Sequence, residues 1–179
     1  MAAATGVRAM TSSSSPGVSL KQEGISYMAG AKLPAVIVNV MRGGPGLGSI
    51  QPSQADYFQA TRGGGNGDYR TPVLAPANLQ EAVDLVQEAF DIADQYRTPV
   101  VVLADGLIGQ MMEPIVWHDV KKRQLPPKTW ASSGRKGRDH NNFINSLLID
   151  AQDCENHNIE LLNTYHEIEK NEVRFEEVM

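Results

Sequence analysis

Arginine 42 is the side chain best placed for anion chemistry in this sequence. The apolar run 33–41 precedes it and predicts a buried strand, and Gly43 and Gly44 follow it, so little bulk would cover the guanidinium. Arginine can hold a carboxylate through two parallel hydrogen bonds. Arg42 is therefore a candidate carboxylate site, and the ordinary alternative is a surface arginine paired in a salt bridge.

The loop that follows, residues 43–48, has the sequence GGPGLG and invites comparison with phosphate-binding loops. The Walker pattern requires a lysine directly after its last glycine, and Ser49 stands there instead. The dinucleotide pattern, read from Gly44, also fails at Ser49, where its third glycine should be. A generic anion- or nucleotide-binding loop and a mobile surface loop both remain open on these residues.

Four consecutive serines at 12–15, followed by Pro16 and Gly17, are typical of a strand-to-helix turn. Ser15 could cap the following helix, with Pro16 in its first turn. Free backbone N–H groups at such a turn favour an anionic or polar ligand. Simple capping is the alternative, and it would account for only one of the serines.

Other polar residues give weaker signals. The histidines, at positions 118, 140, 157 and 166, do not have metal-ligand spacing, and no C-x-x-C motif occurs, so the sequence predicts no metal site. Asp105-Gly106 is more typical of a turn than of a catalytic acid. The second glycine cluster, 61–72, is expected to be too flexible for a core and to act as a hinge, an active-site loop or a contact with another chain.

Strand-like and helix-like segments alternate over the first hundred residues, which predicts a mostly parallel α/β sheet. Ligands of such sheets bind beyond the carboxyl ends of the strands. The loops 11–17, 42–48 and 105–109 are expected to meet there. The strand candidates are 6–10, 33–41, 72–76 and 98–105. The first two helix candidates are 18–31 and 53–63, the second with Ser53 and Asp56 at capping-box spacing. A third helix is expected to be capped by Asn78, with Glu81 three residues on.

The sequence changes character after Pro114, which predicts three regions. We expect a domain over 1–115, a basic, proline-bearing linker over 116–142, and a helical segment over 143–179. Apolar stripes starting at Phe143 and at Ile159 predict that this last segment is an α-hairpin. Residues 172–178 are a possible opening strand of a further domain.

Composition excludes several classes of function. Hydrophobic residues make up 41% and charged residues 21% of the 179, and the net charge is −5, so nucleic acid is not an expected partner. No apolar run approaches the roughly 20 residues of a membrane helix, and no secretory signal is present. The single Cys154 cannot hold an iron–sulfur cluster and indicates a reducing, cytoplasmic compartment.

Two long stretches resemble a known family. The sequence from TSSSSPGVSLKQEGISYMAGAKLPAVIVNVMRGGPGLGSIQPSQADYF to LAPA, residues 11–77, and VVVLADGLIGQMMEPI, residues 100–115, are similar to the alpha subunit of 2-oxoacid:ferredoxin oxidoreductases. The similarity is greatest to the 2-oxoisovalerate (3-methyl-2-oxobutanoate, branched-chain) type and covers essentially the whole chain.

The resemblance implies an α/β pyrimidine-binding domain of the thiamin diphosphate type. Enzymes of this family oxidatively decarboxylate a 2-oxoacid to an acyl-CoA and pass electrons to ferredoxin, with Mg²⁺ and iron–sulfur clusters on other subunits. The resemblance implies that Arg42 binds the substrate carboxylate. It implies cofactor contacts for five further residues: Ser13, Ser14, Ser15, Pro16 and Gly17.

The sequence also departs from the family. The Tyr-Pro-Ile-Thr-Pro-type loop and the glutamate that activates the cofactor in the family belong before residue 1. No catalytic residue is therefore predicted in this chain. The chain is expected to be an internal piece of the subunit and to be inactive alone. A non-catalytic assembly module of the same complex is the alternative.

Overall fold

A computed structural model of the protein describes residues 1–118, 123–135 and 137–175. The chain divides into two compact units, Met1–Asn145 and Ser146–Met179. Within the described residues, no helix combines the length and the apolar character needed to cross a membrane.

The first unit is built on a four-stranded parallel sheet. Its strands are β1 (Met10–Ser13), β2 (Ala35–Met41), β3 (Val73–Leu74) and β4 (Pro99–Asp105), in the spatial order β1-β2-β4-β3. All pairs are parallel, and the register sets Ser13 beside Asn39 and Met41 beside Asp105. The predicted parallel α/β sheet is confirmed.

Helices cover both faces of this sheet. The short helices α1 (Pro16–Ser19), α2 (Gln22–Gly30) and α3 (Tyr57–Thr61) join the strands, and α4 (Leu79–Tyr96) leads into β4. Ile37 and Leu103 share a buried cluster with Ile25 of α2, while Val36 and Val102 pack with Ile92 of α4 on the other face. Because neighbouring residues of β2 enter opposite cores, its apolar run has no polar alternation.

The predicted cap of α4 is confirmed. Asn78 Oδ1 accepts a hydrogen bond from the Glu81 N–H over 2.8 Å, and Glu81 Oε2 accepts one from the Ala77 N–H over 2.7 Å. The bond to Asn78 satisfies an N–H group that the first helical turn cannot pair internally, and the bond from Ala77 ties the residue before the cap to that turn.

The predicted boundaries of the first strand and of the helix over 53–63 are wrong. The first strand covers Met10–Ser13 rather than 6–10, so part of the serine run is strand. The helix predicted over 53–63 spans only Tyr57–Thr61 and lacks the proposed side-chain cap. The carboxylate of Asp56 instead accepts a hydrogen bond from Asn39 Nδ2 over 3.0 Å.

The second glycine cluster packs on α2 through Tyr69, while most of its other residues are exposed, and the expected role as a hinge, an active-site loop or a contact with another chain stays a prediction. Tyr69 is buried, and its hydroxyl donates to Gln22 Oε1 over 3.1 Å. A Cβ at Gly65 would stand 2.8 Å from the Gln22 carbonyl oxygen and 2.9 Å from Ser26 Cβ. Glycine is required there because the backbone lies directly against the helix.

The predicted linker lies within the first unit and is tied to it by charged groups, although its residues 123–135 form no helix or strand. Lys128 Nζ lies 2.6 Å from Asp94 Oδ1 and donates to the Gly6 carbonyl over 2.9 Å. Arg8 pairs with the same Asp94, over 3.0 Å, and with Asp91. Desolvation lowers the pKa of Arg8, but the bonds to Asp91 and Asp94 outweigh it, so its pKa is raised.

The described residues of the second unit form one helix, α5 (Ala151–Glu172), and the predicted α-hairpin is wrong. Residues 141–149 are neither helix nor strand, so the apolar residues from Phe143 onward are not a helical stripe. Asp150 starts α5 by accepting bonds from the N–H groups of Gln152 and Asp153, over 2.9 and 3.1 Å. Residues 173–175 are not a strand, and 176–178 of the possible opening strand lie outside the described residues.

Candidate functional site

A cleft of about 430 Å³ lies beyond the carboxyl ends of β1, β2 and β4, and we call it the strand-end cleft. All three loops predicted to meet at this edge contribute to it. Its lining residues are Ser12, Ser13, Ser14, Val40, Met41, Arg42, Ile50, Pro52, Gly106, Gly109 and Gln110.

Arg42 lies on the wall of this cleft without a carboxylate partner among the described residues. Its Nε donates to Ser14 Oγ over 3.2 Å, and its Nη1 donates to the carbonyls of Leu47 and Ser49 over 2.7 and 2.9 Å. All these acceptors are neutral, so the guanidinium is held in place while its charge stays uncompensated by described groups. The salt-bridge alternative therefore does not describe Arg42.

The glycine loop after Arg42 is closed on itself. The Gly43 N–H donates to the Gln51 carbonyl over 3.0 Å, and the Ser49 N–H donates to the Gly43 carbonyl over 2.8 Å. Two further carbonyls of the loop converge on Arg42. A phosphate-binding loop presents converging N–H groups instead, so this geometry disfavours the nucleotide-binding alternative.

The serine run turns sharply where β1 ends. The Gly17 N–H donates to the Ser14 carbonyl over 3.0 Å, and Ser15 has φ 45° and ψ −123°, the first central position of a type II′ turn. Pro16 occupies the first turn of α1 as predicted, but the Ser15 side chain does not cap the helix. The Ser15 hydroxyl is buried and has no hydrogen-bond partner among the described residues.

The structure thus divides the predicted cofactor residues. Ser13 and Ser14 line the strand-end cleft together with Ser12, whereas Ser15, Pro16 and Gly17 are not among its lining residues. Gly17 still serves the site, because a Cβ there would run into the side chain of Ser13.

Lys21 is a second cation beside the serine run, and no sequence pattern predicted its position. Its Nζ donates to Thr11 Oγ1 and to the Ser12 carbonyl, each over 2.8 Å. No carboxylate of the described chain pairs with it. Lys21 therefore holds β1 in place. It also adds positive potential beside β1, whose following residue, Ser14, accepts the hydrogen bond from Arg42.

The side of the cleft formed after β4 is mostly apolar. Asp105 is a turn residue, as expected, because its Oδ1 accepts from the Leu107 N–H over 2.7 Å and its Oδ2 accepts from Gln54 Nε2 over 3.0 Å. Gly106 lies against Pro52, since a Cβ there would stand 3.0 Å from Pro52 Cα. Sequence reasoning missed Pro52, Ile50 and Val40, whose aliphatic side chains carry no chemical signature.

A small cavity lies beside β2, at Asn39, three residues before Arg42. Its volume of about 20 Å³ is enough for one water molecule, and Asn39, with Oδ1 unpartnered among the described residues, lies in its wall. Tyr69 lies in the same wall, and its burial raises the pKa of its hydroxyl, although hydrogen bonds that the backbone N–H groups of Gly65 and Gly64 donate to it partly oppose this rise. The cavity offers little for recognising a larger ligand, because its other lining groups are largely apolar or already bonded.

The donor set of the strand-end cleft suits a polar organic ligand better than a metal ion. In the part of the chain that the structure describes, no three His, Cys, Asp or Glu residues are grouped to bind a metal. The cleft instead offers serine hydroxyls and the Gln110 carboxamide, which both donate and accept hydrogen bonds, beside the Arg42 guanidinium. These groups fit an aminopyrimidine ring and a carboxylate.

Sequence comparison identifies relatives along the whole chain. The profile of a family described as "Pyruvate flavodoxin/ferredoxin oxidoreductase, thiamine diP-bdg" matches residues 1–179. The chain is 52% identical over 178 residues to the ketoisovalerate oxidoreductase subunit VorB of Methanothermobacter thermautotrophicus, covering 99% of this chain and 50% of that protein. It is 44% identical over 126 residues to the 2-oxoglutarate synthase subunit KorA of the same organism, covering 68% of this chain and 33% of that one.

Structural comparison finds the same fold in a solved enzyme. The 2-oxoglutarate:ferredoxin oxidoreductase from Magnetococcus marinus, with 2-oxoglutarate, coenzyme A and succinyl-CoA bound, matches with a TM-score of 0.78 at 20% identity. The match covers 99% of this chain and 36% of that chain. The chain spans about half the length of the VorB relatives.

Proposed function

Since the chain belongs to the thiamin diphosphate-binding pyruvate flavodoxin/ferredoxin oxidoreductase family, we propose that it forms the pyrimidine-binding part of a 2-oxoacid:ferredoxin oxidoreductase subunit. The family resemblance and the α/β thiamin-type fold expected from the sequence are both confirmed. The proposed reaction is the oxidative decarboxylation of a branched-chain 2-oxoacid to its acyl-CoA, with electrons passed to ferredoxin.

The observation that carries this proposal is the uncompensated charge of Arg42 in the strand-end cleft. Its Nη2 makes no hydrogen bond to a described residue, while Nε and Nη1 are occupied by Ser14 and by the loop carbonyls. The guanidinium is therefore oriented before any ligand arrives and retains donors for an anion. We assign these donors to the carboxylate of the 2-oxoacid.

The serine run is assigned to the cofactor. When bound, thiamin diphosphate supplies the carbon nucleophile and the electron sink for decarboxylation. Ser13 and Ser14 would contact its aminopyrimidine ring through their hydroxyls, and Ser15, Pro16 and Gly17 would set the turn that holds them. The roles of this chain's residues are thus to bind and to orient.

Other components would complete the enzyme. Partner subunits would hold the diphosphate with Mg²⁺ and the iron–sulfur clusters, and CoA and ferredoxin would act through the assembled complex. We place the complex in the cytoplasm.

The test uses the assembled complex with thiamin diphosphate, 3-methyl-2-oxobutanoate, CoA and ferredoxin. Arg42→Ala should raise the KM for the 2-oxoacid by one hundredfold or more, because an arginine–carboxylate pair is lost from a partly enclosed site. Arg70→Ala, at an exposed arginine outside the cleft, is the matched control. Unchanged kcat/KM in Arg42→Ala would remove Arg42 from the site.

The same preparation examines the alternative of an assembly module. A complex that forms with its partner subunits but shows neither thiamin diphosphate binding nor turnover would favour the module over the catalytic subunit.

A further inference from the structure

The strand-end cleft is polar on one side and apolar on the other. In the sheet order, β1 and β4 flank β2 on opposite sides. Arg42, just after β2, donates to Ser14 on the β1 side. Pro52 lies against Gly106 on the β4 side, within 3.2 Å of a Cβ built there. A ligand in this cleft therefore meets donors toward β1 and carbon atoms toward β4.

Gly109 keeps room on the apolar side of the cleft. A Cβ at Gly109 would stand 3.1 Å from Val40 Cγ1, so the absence of a side chain leaves Val40 uncovered on the cleft wall. Ile50, two residues after the glycine loop, lines the same cleft and is 83% exposed, so its side chain has space to contact a ligand. Val40, Ile50 and Pro52 together form a wall that we call the aliphatic wall.

The distribution of charge in the cleft also makes its β4 side suited to an uncharged group. Among the described residues that line it, Arg42 alone is charged, and the polar group after β4 is the neutral carboxamide of Gln110. A 2-oxoacid with a second carboxylate would place that group beside the aliphatic wall with no cation to pair it. Such an unpaired charge is disfavoured relative to an uncharged side chain wherever the bound ligand loses contact with water.

We infer that the aliphatic wall is the subsite for the substrate side chain, and that Ile50 selects uncharged, branched side chains over carboxylate-bearing ones. This inference rests on the proposed function and adds the residues that set its specificity. The substrate carboxylate binds toward β1 at Arg42, and the side chain extends toward Gly109.

The experiment measures kcat/KM of the assembled, cofactor-loaded complex for 3-methyl-2-oxobutanoate and for 2-oxoglutarate. Ile50→Lys places a cation on the aliphatic wall, so the ratio of the two values should shift toward 2-oxoglutarate by at least tenfold. Ile50 is exposed, so the lysine should not disturb folding. Leu107→Lys adds the same charge at an exposed leucine of the neighbouring loop that does not line the cleft, and should leave the ratio unchanged.

A second variant guards against loss of assembly in the first. Ile50→Ala removes aliphatic contact without adding charge, and should lower kcat/KM for 3-methyl-2-oxobutanoate about tenfold more than for pyruvate.

The outcomes separate the subsite from the proposed function. Active complexes in which neither Ile50 variant changes its substrate ratio would overturn the subsite and leave the proposed function standing. An equal shift in Leu107→Lys would also overturn the subsite, because general electrostatic attraction would then account for the change. A loaded wild-type complex that turns over no 2-oxoacid would overturn both.

Discussion

Arg42 Nε donates a hydrogen bond to the hydroxyl oxygen of Ser14 across 3.2 Å, linking the ends of β1 and β2. Because this oxygen accepts from the guanidinium, the proton of Ser14 is left to be donated elsewhere, and Ser14 lines the cleft. The pair therefore presents two kinds of donor to one ligand.

Replacing Ser14 tests whether this link matters for binding. Ser14→Ala should raise the KM for 3-methyl-2-oxobutanoate roughly three- to tenfold in the assembled complex, since a hydrogen bond to a charged group is lost but the charge of Arg42 remains. Steady-state kinetics measure the effect, with Ser53→Ala, outside the cleft, as control. A KM equal to the wild-type value would show that Arg42 needs no support from Ser14.

Ser15 should be a site of backbone strain. Its φ of 45° lies in a region that glycine adopts freely and serine does not, so Ser15→Gly should raise the free energy of unfolding of the full subunit by about 1 kcal/mol. Urea denaturation measures the change. Ser15→Ala keeps the constrained φ and should gain less, and an alanine variant as stable as the glycine variant would exclude strain as the cause.

Gly65 should tolerate no side chain. Its Cβ would stand 2.8 Å from the Gln22 carbonyl oxygen, so Gly65→Ala should cost about 1–3 kcal/mol of stability through forced displacement of α2. Gly24→Ala, on α2 itself with nothing within 4 Å of its Cβ, should be stabilising by about 0.5–1 kcal/mol. Differential scanning calorimetry of both variants would contradict the packing if their melting temperatures shifted equally.

Tyr69 should make stability sensitive to alkaline pH. Burial raises the pKa of its hydroxyl in the folded state, so its stabilising contribution is fully present below the unfolded value of about 10 and is lost as pH rises through the folded value. The unfolding free energy should therefore fall above about pH 10, and less steeply in Tyr69→Phe. Urea titrations across this range measure both slopes, with Tyr27→Phe at an exposed tyrosine as control.

The fold could be predicted where burial alone decides the structure. Residues of β2 and β4 are buried in both cores, so the continuous apolar runs in the sequence are sufficient to predict these two strands. The edge strand β1 was misplaced because Thr11, Ser12 and Ser13 are polar, and the strand is held by backbone pairing to β2. The α-hairpin was wrong because Phe143 and the residues after it satisfy a helical spacing without forming a helix.

The site was predictable only where a residue type has its own chemistry. Arg42 and the serines could be identified in this way, whereas Ile50 and Lys21 could not. Their importance comes from three-dimensional relationships, such as the antiparallel bridge between Arg42 and Pro52 and the reach of Lys21 to Ser12. No local pattern in the sequence encodes either relationship.

The charged group formed by Arg8, Asp91, Asp94 and Lys128 has a consequence for synthesis on the ribosome. Lys128 donates a hydrogen bond to the carbonyl of Gly6, which lies 122 positions earlier in the sequence. Translation needs on the order of ten seconds to cover that distance. Asp94 is made before Lys128 and therefore lacks this second cation until the later residue has been synthesised. The contacts of Lys128 with Asp94 and Gly6 can therefore form only after all four strands of the sheet have been synthesised, and the contact with Gly6 is a long-range one of the kind that slows folding.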